Sequence, residues 1–344
     1  MPSLPSRLPT AILGVRFDNV TLPEALARVE EMIASRRPHY IATANTDFVV
    51  QAMEDADLRR ILFNAPLILC DGTPLMWTSY MLGNPLVERV AGSDVVPALL
   101  RIAEEKGYRV FFLGGQDQVR QRAVANVAAR HPKLQIAGHF SPPYAPLAQL
   151  DHDTICREIR AGRPDLLFVS FGCPKQEKWI DMHYRQLGVP VSIGVGATID
   201  FLAGAVHRAP RWMQRSGLEW SFRLVQEPRR LAGRYAADAV KVSLPIVRQC
   251  LSLRQTPNLS KRGLYGKWAQ SIEAGETVLD LSGVEHFGST DIGVLMWLAQ
   301  QAGERGASLT LASPPKQLED ALRLMRLEKL LPIAVNLQRE PTTP

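Results

Sequence analysis

Through the first 200 residues, short apolar runs alternate with helix-length amphipathic stretches, the pattern of successive βαβ units around a parallel sheet. It predicts strands at 11–16, 40–44, 66–71, 109–113, 133–138, 165–171 and 191–195, with helices between them. The first helix has a marked start: Thr21, Pro23 and Glu24 form a capping box with proline in the first turn, ahead of Ala25, Leu26 and Val29. Near Asn258 the texture changes. The stretch 255–263 is polar, contains a proline and reads as a linker. Beyond it, strands at 277–281 and 308–312 and helices at 289–303 and 315–330 predict a second, smaller α/β unit over 264–344. The larger unit is Rossmann-like, a mostly parallel sheet with helices on both faces. It occupies 1–207, and 208–254 forms a basic amphipathic appendage.

Composition narrows the class. Of 344 residues, 46% are apolar and 22% charged, an ordinary globular balance that excludes a disordered or fibrous chain. No run approaches the roughly 20 apolar residues that span a bilayer, and the amino-terminal stretch lacks a signal-peptide core, so the expected location is the cytoplasm. Cys70, Cys156, Cys173 and Cys250 lack CxxC spacing and are expected to be reduced thiols. The charge is uneven. Residues 208–262 carry twelve Lys or Arg against Glu219, Glu227 and Asp238, a local +9, so the rest of a chain with net +6 is at −3. Such a segment calls for an anionic partner.

Ligands of open parallel sheets bind beyond the carboxyl ends of the strands, where turns expose backbone donors and helix amino termini. Polar and glycine-rich clusters gather there: Thr43-Ala-Asn45-Thr46-Asp47, Asp71-Gly72, Gly114-Gly115-Gln116, Gly172-Cys-Pro-Lys175-Gln176-Glu177, and Gly194-Val-Gly196 with Asp200 nearby. Gly194-Val-Gly196 lacks the third glycine and the later ribose-binding acid of a dinucleotide fingerprint, and no GxxxxGK[ST] exists. NAD and P-loop chemistry are thereby set aside, and no cofactor is expected. The triplets Asp55-Ala-Asp57 and Asp151-His-Asp153 fall at helix starts, where capping accounts for them, and no metal site is expected.

In order along 11–235, these clusters join Glu88-Arg89-Val-Ala-Gly-Ser-Asp94, Phe112-Leu-Gly-Gly115, Gly204, Arg208-Ala-Pro210, Gly217-Leu-Glu-Trp220, Arg223 and Glu227-Pro-Arg-Arg230. With them the chain resembles the TagA/WecG/CpsF glycosyltransferases, which transfer N-acetylmannosamine or related sugars to lipid-linked acceptors of bacterial envelope polysaccharides. One departure is Thr46-Asp47, where the family commonly has proline and then an acid or other polar residue. The resemblance implies metal-independent, inverting displacement at the anomeric carbon, with a UDP-sugar donor and a lipid-diphosphate-linked sugar acceptor. Such a displacement needs a base for the acceptor hydroxyl and charge relief for the departing diphosphate. Asp71 is the candidate base. Thr43 and Asn45 are expected to hydrogen-bond hydroxyls, Gln176 to orient donor or acceptor, and Lys175 to face phosphate. Arg89 is the candidate cation for a diphosphate, and Gly114, Gly115, Gly172, Glu177, Gly196 and Asp200 complete the expected substrate site.

The basic segment interleaves arginines with Trp212, Met213, Leu218, Trp220, Phe222, Leu224, Val225 and Leu231, a mixture suited to an anionic membrane surface. In the resembled family this appendage reaches the membrane and completes the site, so Arg208, Arg223 and Arg230 are expected at a lipid diphosphate. The expected placement is peripheral, on the inner face of the cell membrane. Nucleic acid is not an expected partner, because the cations sit in one late helical segment rather than on an aromatic sheet or groove. The tail resembles a STAS domain at Val278-Leu-Asp-Leu-Ser-Gly-Val-Glu-His-Phe287 and Gly288-Ser-Thr-Asp-Ile-Gly293. Gly288 replaces the usual acid there, and Asp291 the usual glycine. Ser289 and Thr290 correspond to the hydroxyl pair, with Thr290 at the phosphorylated position of switchable relatives, and the tail is expected to dock a protein partner. The rival reading is a non-catalytic nucleotide-sugar sensor acting through this tail.

Overall fold

The computed structural model describes residues 4–206, 208–253, 261–272, 275–284 and 286–334. The chain opens with an antiparallel hairpin, β1 (Thr10–Ile12) and β2 (Val15–Phe17), closed by Leu13 and Gly14. Both turn residues have positive φ, 48° and 85°, the twist that a two-residue hairpin loop requires. The single strand expected at 11–16 is therefore two, lying outside the main sheet. Leucine conceals the turn, because asparagine or aspartate usually fills its left-handed position. Helix α1 (Leu22–Ser35) follows, with Thr21 and Glu24 forming the expected capping box.

The main sheet contains β3 (His39–Ala44), β4 (Leu67–Cys70), β5 (Arg109–Gly114), β6 (Gln135–Phe140), β7 (Leu166–Ser170) and β8 (Val191–Gly194). Its order is β4-β3-β8-β7-β5-β6 and every pairing is parallel. Helices α2 (Thr46–Glu54) and α3 (Ala56–Asn64) join β3 to β4, and α4 (Thr73–Met81) and α5 (Gly92–Lys106) join β4 to β5. Then α6 (Asp117–Arg130), α7 (His152–Gly162), α8 (Lys175–Leu187) and α9 (Thr198–Leu202) follow β5, β6, β7 and β8. Apolar side chains fill both faces of this sheet, which is why its inner strands read as unbroken apolar runs. Edge strand β6 is only partly buried.

The basic segment forms α10 (Arg211–Arg215), α11 (Glu219–Gln226) and the 25-residue α12 (Pro228–Ser252), whose carboxyl half reaches the second unit. That unit has α13 (Arg262–Gln270), β9 (Glu276–Asp280), α14 (Ser289–Glu304), β10 (Ser308–Ala312) and α15 (Lys316–Leu324), with β9 and β10 parallel. Of the expected linker, 255–260 lie outside the described residues, and Arg262 and Gly263 already belong to α13. The helix expected at 315–330 stops at Leu324, and Arg326 takes a left-handed φ of 55° shortly after it.

The second unit does not build its core alone. Leu8, Ala11, Phe63 and Leu253 join its apolar cluster, and α14 packs on the hairpin. Gly293 permits that approach: a Cβ there would lie 2.6 Å from the Pro9 carbonyl oxygen. This close contact accounts for a glycine inside a helix, where it ordinarily costs about 0.5–1 kcal/mol.

Candidate active site

Four neighbouring strands, β4, β3, β8 and β7, end at a cavity of about 570 Å³. Their loops supply Thr43, Asn45, Asp71, Gly172, Gln176 and Gly196, and the opposite wall comes from the appendage through Glu219, Trp220, Arg223, Arg234, Tyr235, Asp238 and Val242. The appendage folds back over the strand ends and forms one wall of the site.

Asp71 is held from two sides. Its Oδ1 lies 3.5 Å from Arg89 Nη1, and its Oδ2 accepts from the Gly92 amide at 3.4 Å. Burial pushes its carboxyl above the usual 3.8, against the pull of Arg89, Arg223 and that amide, and Glu219 adds to the rise. A raised carboxyl is a stronger base once ionised. Arg89 meets not only Asp71 but also Asp94 at 3.5 Å and Glu219 at 2.9 Å. Arg208 meets Asp94 at 2.8 Å and Glu219 at 3.5 Å. Glu219, on α11, thus ties the appendage to the loop that carries Arg89.

Asn45 caps α2: its Oδ1 accepts from the Phe48 amide at 3.2 Å. That contact fixes the side-chain flip and leaves the Nδ2 hydrogens for the cavity. The Thr43 hydroxyl donates to the Gly194 carbonyl at 3.3 Å. Gln176 is a brace. Its Oε1 accepts from the amides of Gly172 at 3.1 Å and Gly196 at 3.2 Å, tying two loops together, and its Nε2 donates to Glu177 Oε1 at 2.7 Å. Two amide donors on one oxygen settle which end of the side chain is the carbonyl, so Gln176 shapes the site more than it grips a ligand.

Several expected site residues lie elsewhere. Gly114 and Gly115 do not line the cavity, since β5 lies beyond β7. Gly114 has φ of 89°, and a Cβ there would come within 2.5 Å of the Ser170 carbonyl oxygen, so it serves strand packing. Lys175 turns away from the cavity: Nζ donates to the Ala145 carbonyl and sits over the rings of Phe171 and Tyr144. Glu177 is buried beneath the loops, where loss of solvent pushes its carboxyl up to about 7. Asp200 and Arg208 are also outside the lining, Arg208 standing behind it in the ion-pair network, and the Arg230 side chain lies outside the described residues. Glu88, next to Arg89, accepts from the Leu22 amide at 3.0 Å. Asp55 and Asp151 are helix caps.

Reading the sequence missed Glu219, Arg234, Tyr235 and Asp238 as cavity residues. One signal was present: Asp238 is the sole acid in the otherwise basic α12. In the tail, Ser289 and Thr290 are both buried at the start of α14, and Ser289 Oγ accepts from Gln249 Nε2 at 2.9 Å. Asp291 caps this helix on the Gly288 amide and also holds Lys261 and Tyr265. A phosphate on either hydroxyl has no room in this conformation.

Residues 10–256 match the sequence model of the glycosyl transferase WecG/TagA/CpsF family. The chain belongs to that family. The match contains every cavity-lining residue, including those on α12, and residues 258–332 match the Mlab, STAS domain. Relatives include the N-acetylglucosaminyldiphosphoundecaprenol N-acetyl-beta-D-mannosaminyltransferases of Staphylococcus aureus strains MW2 and NCTC 8325 / PS 47. Each is 31% identical over 222 residues, 64% of this chain and 85% of the relative. The protein is accordingly a glycosyltransferase with a STAS domain, and its cavity is the place to seek the transfer chemistry.

Proposed function

We propose that the enzyme transfers N-acetylmannosamine or a related hexose from a UDP-sugar to a sugar on undecaprenyl diphosphate, by direct inverting displacement without a metal. The observation that carries this reading is Asp71, a cavity carboxylate held by Arg89 and the Gly92 amide in the loops that the family match covers. Asp71 takes the proton of the acceptor hydroxyl as that oxygen attacks the anomeric carbon. The bond from that carbon to the UDP oxygen breaks, and the electron pair leaves on the diphosphate. Arg223 and Arg234 line the cavity and are the cations assigned to that charge. The test is a panel of UDP-sugars with a lipid-diphosphate-linked N-acetylglucosamine acceptor, scored by UDP release. Transfer from UDP-N-acetylmannosamine without added metal is expected, and no UDP release from any donor would overturn the reading.

Membrane docking is part of the same proposal. No helix among the described residues is long and apolar enough to cross a bilayer. Val240, Leu244, Val247 and Leu251, however, are all exposed on α12 at spacings of four, three and four, forming one apolar stripe beside Lys241 and Arg248. An apolar stripe flanked by cations suits the headgroup region of an anionic bilayer. The full chain is expected to bind phosphatidylglycerol vesicles in a salt-sensitive way. Because burying one leucine is worth about 1.5–3 kcal/mol, Leu244→Glu should weaken binding at least tenfold. Equal flotation of variant and parent would remove α12 from the docking surface.

A further inference from the structure

Two cavity carboxylates stand apart from the Arg89 network. Asp47 is in the first turn of α2 and Asp238 is on α12, two helices that pack together and are joined by Lys241 and Glu54 at 2.7 Å. Both line the cavity. Asp238 is only 7% exposed, yet its carboxylate makes no hydrogen bond or ion pair with a described residue. Asp47 accepts one hydrogen bond, from Gln51 Nε2 at 2.8 Å, through Oδ2. Burial and then Asp47 push the Asp238 carboxyl up, with Arg234 and Lys241 opposing. Because both carboxylates border the cavity, a ligand's donors can take the place of water on them. Sugar hydroxyls are such donors, whereas the carboxylate of a hexuronate would add a third negative charge to the same wall.

We propose that Asp47 and Asp238 form the specificity-determining wall of the cavity, accepting hydrogen bonds from the hydroxyls of an uncharged hexosamine and excluding a hexuronate. This rests on the sugar-transfer reading above. The uncharged ring is either that of the donor or that of the acceptor, and the two are separated by experiment. Thr46, next to Asp47, lines the same cavity.

The test measures kcat/KM in two arms with the full chain. One arm compares UDP-N-acetylmannosamine with its 6-carboxylate analogue, using a single acceptor. The other compares lipid-diphosphate N-acetylglucosamine with its 6-carboxylate analogue, using a single donor. In the parent enzyme the charged sugar should be disfavoured by on the order of a hundredfold in one arm. Asp238→Asn should lower the efficiency with the uncharged sugar by about tenfold and shrink the discrimination by about tenfold, with Asp47→Asn acting in the same arm. UDP binding and melting temperature verify that each variant is folded, and Asp47→Asn, at a partly exposed position, serves if Asp238→Asn is not. Equal use of charged and uncharged sugars by the parent, or discrimination unchanged in both arms by the substitutions, would overturn the proposal. A parent that transfers neither sugar overturns the transfer reading itself, and that outcome is distinct from indiscriminate transfer.

Discussion

Asp71→Asn is expected to lower turnover by about 10²–10⁴-fold, the usual worth of a positioned general base, while UDP still binds. Asparagine keeps the shape of the side chain and can still accept from the Gly92 amide, but it cannot take the acceptor's proton. The same residue sets a pH dependence. The base works only when ionised, and burial has raised its carboxyl above the ordinary 3.8. Activity should therefore fall as pH drops through that raised value, placing the acid limb of kcat/KM above the ordinary aspartate range. Glu219 contributes to the rise, so Glu219→Gln should move the limb toward lower pH. Near-normal turnover by purified Asp71→Asn would remove Asp71 from the chemistry, and a limb unmoved by Glu219→Gln would deny the electrostatic link.

What the sequence made visible follows from physics that acts locally. Strands β3, β4, β5, β7 and β8 are buried on both faces and announce themselves as apolar runs, and β10 falls at the 308–312 expected for it. Site loops were visible because parallel sheets present their carboxyl ends to ligands, a rule that needs no side-chain directions. It fails where direction matters. Lys175 and Gln176 are neighbours at the start of α8, yet one side chain leaves for the Ala145 carbonyl while the other turns under two loops. Gly114-Gly115 satisfied the same rule from a strand one place too far along the sheet. Glu219 and Asp238 were out of reach for another reason: their roles exist only after α11 and α12 fold back across the strand ends, a contact with no periodicity to mark it.

Gln249→Leu is expected to cost about 3–5 kcal/mol of stability. The side chain is fully buried where the hairpin, α12 and the STAS domain meet. Its Oε1 accepts from the Leu13 amide at 2.9 Å, and its Nε2 donates to the Ala11 carbonyl at 2.8 Å and to Ser289 Oγ at 2.9 Å. Leucine has similar volume but leaves three buried polar groups unpaired, each worth about 1–3 kcal/mol. One of them belongs to Leu13, already in a left-handed conformation that a leucine resists. At about 2–4 °C per kcal/mol for chains of this general size, Tm should drop by on the order of 10 °C. Ser289→Ala removes only one partner and should cost about 1 kcal/mol. Because α12 carries Arg234 and Asp238 at one end and Gln249 near the other, loosening this joint should also reach the cavity. Faster hydrogen exchange at the Leu13 amide together with reduced kcat in Gln249→Leu would show that the STAS domain holds α12 in its working position. A Tm within about 2 °C of the parent, a shift worth at most about 1 kcal/mol, would show instead that the three bonds are replaced on mutation.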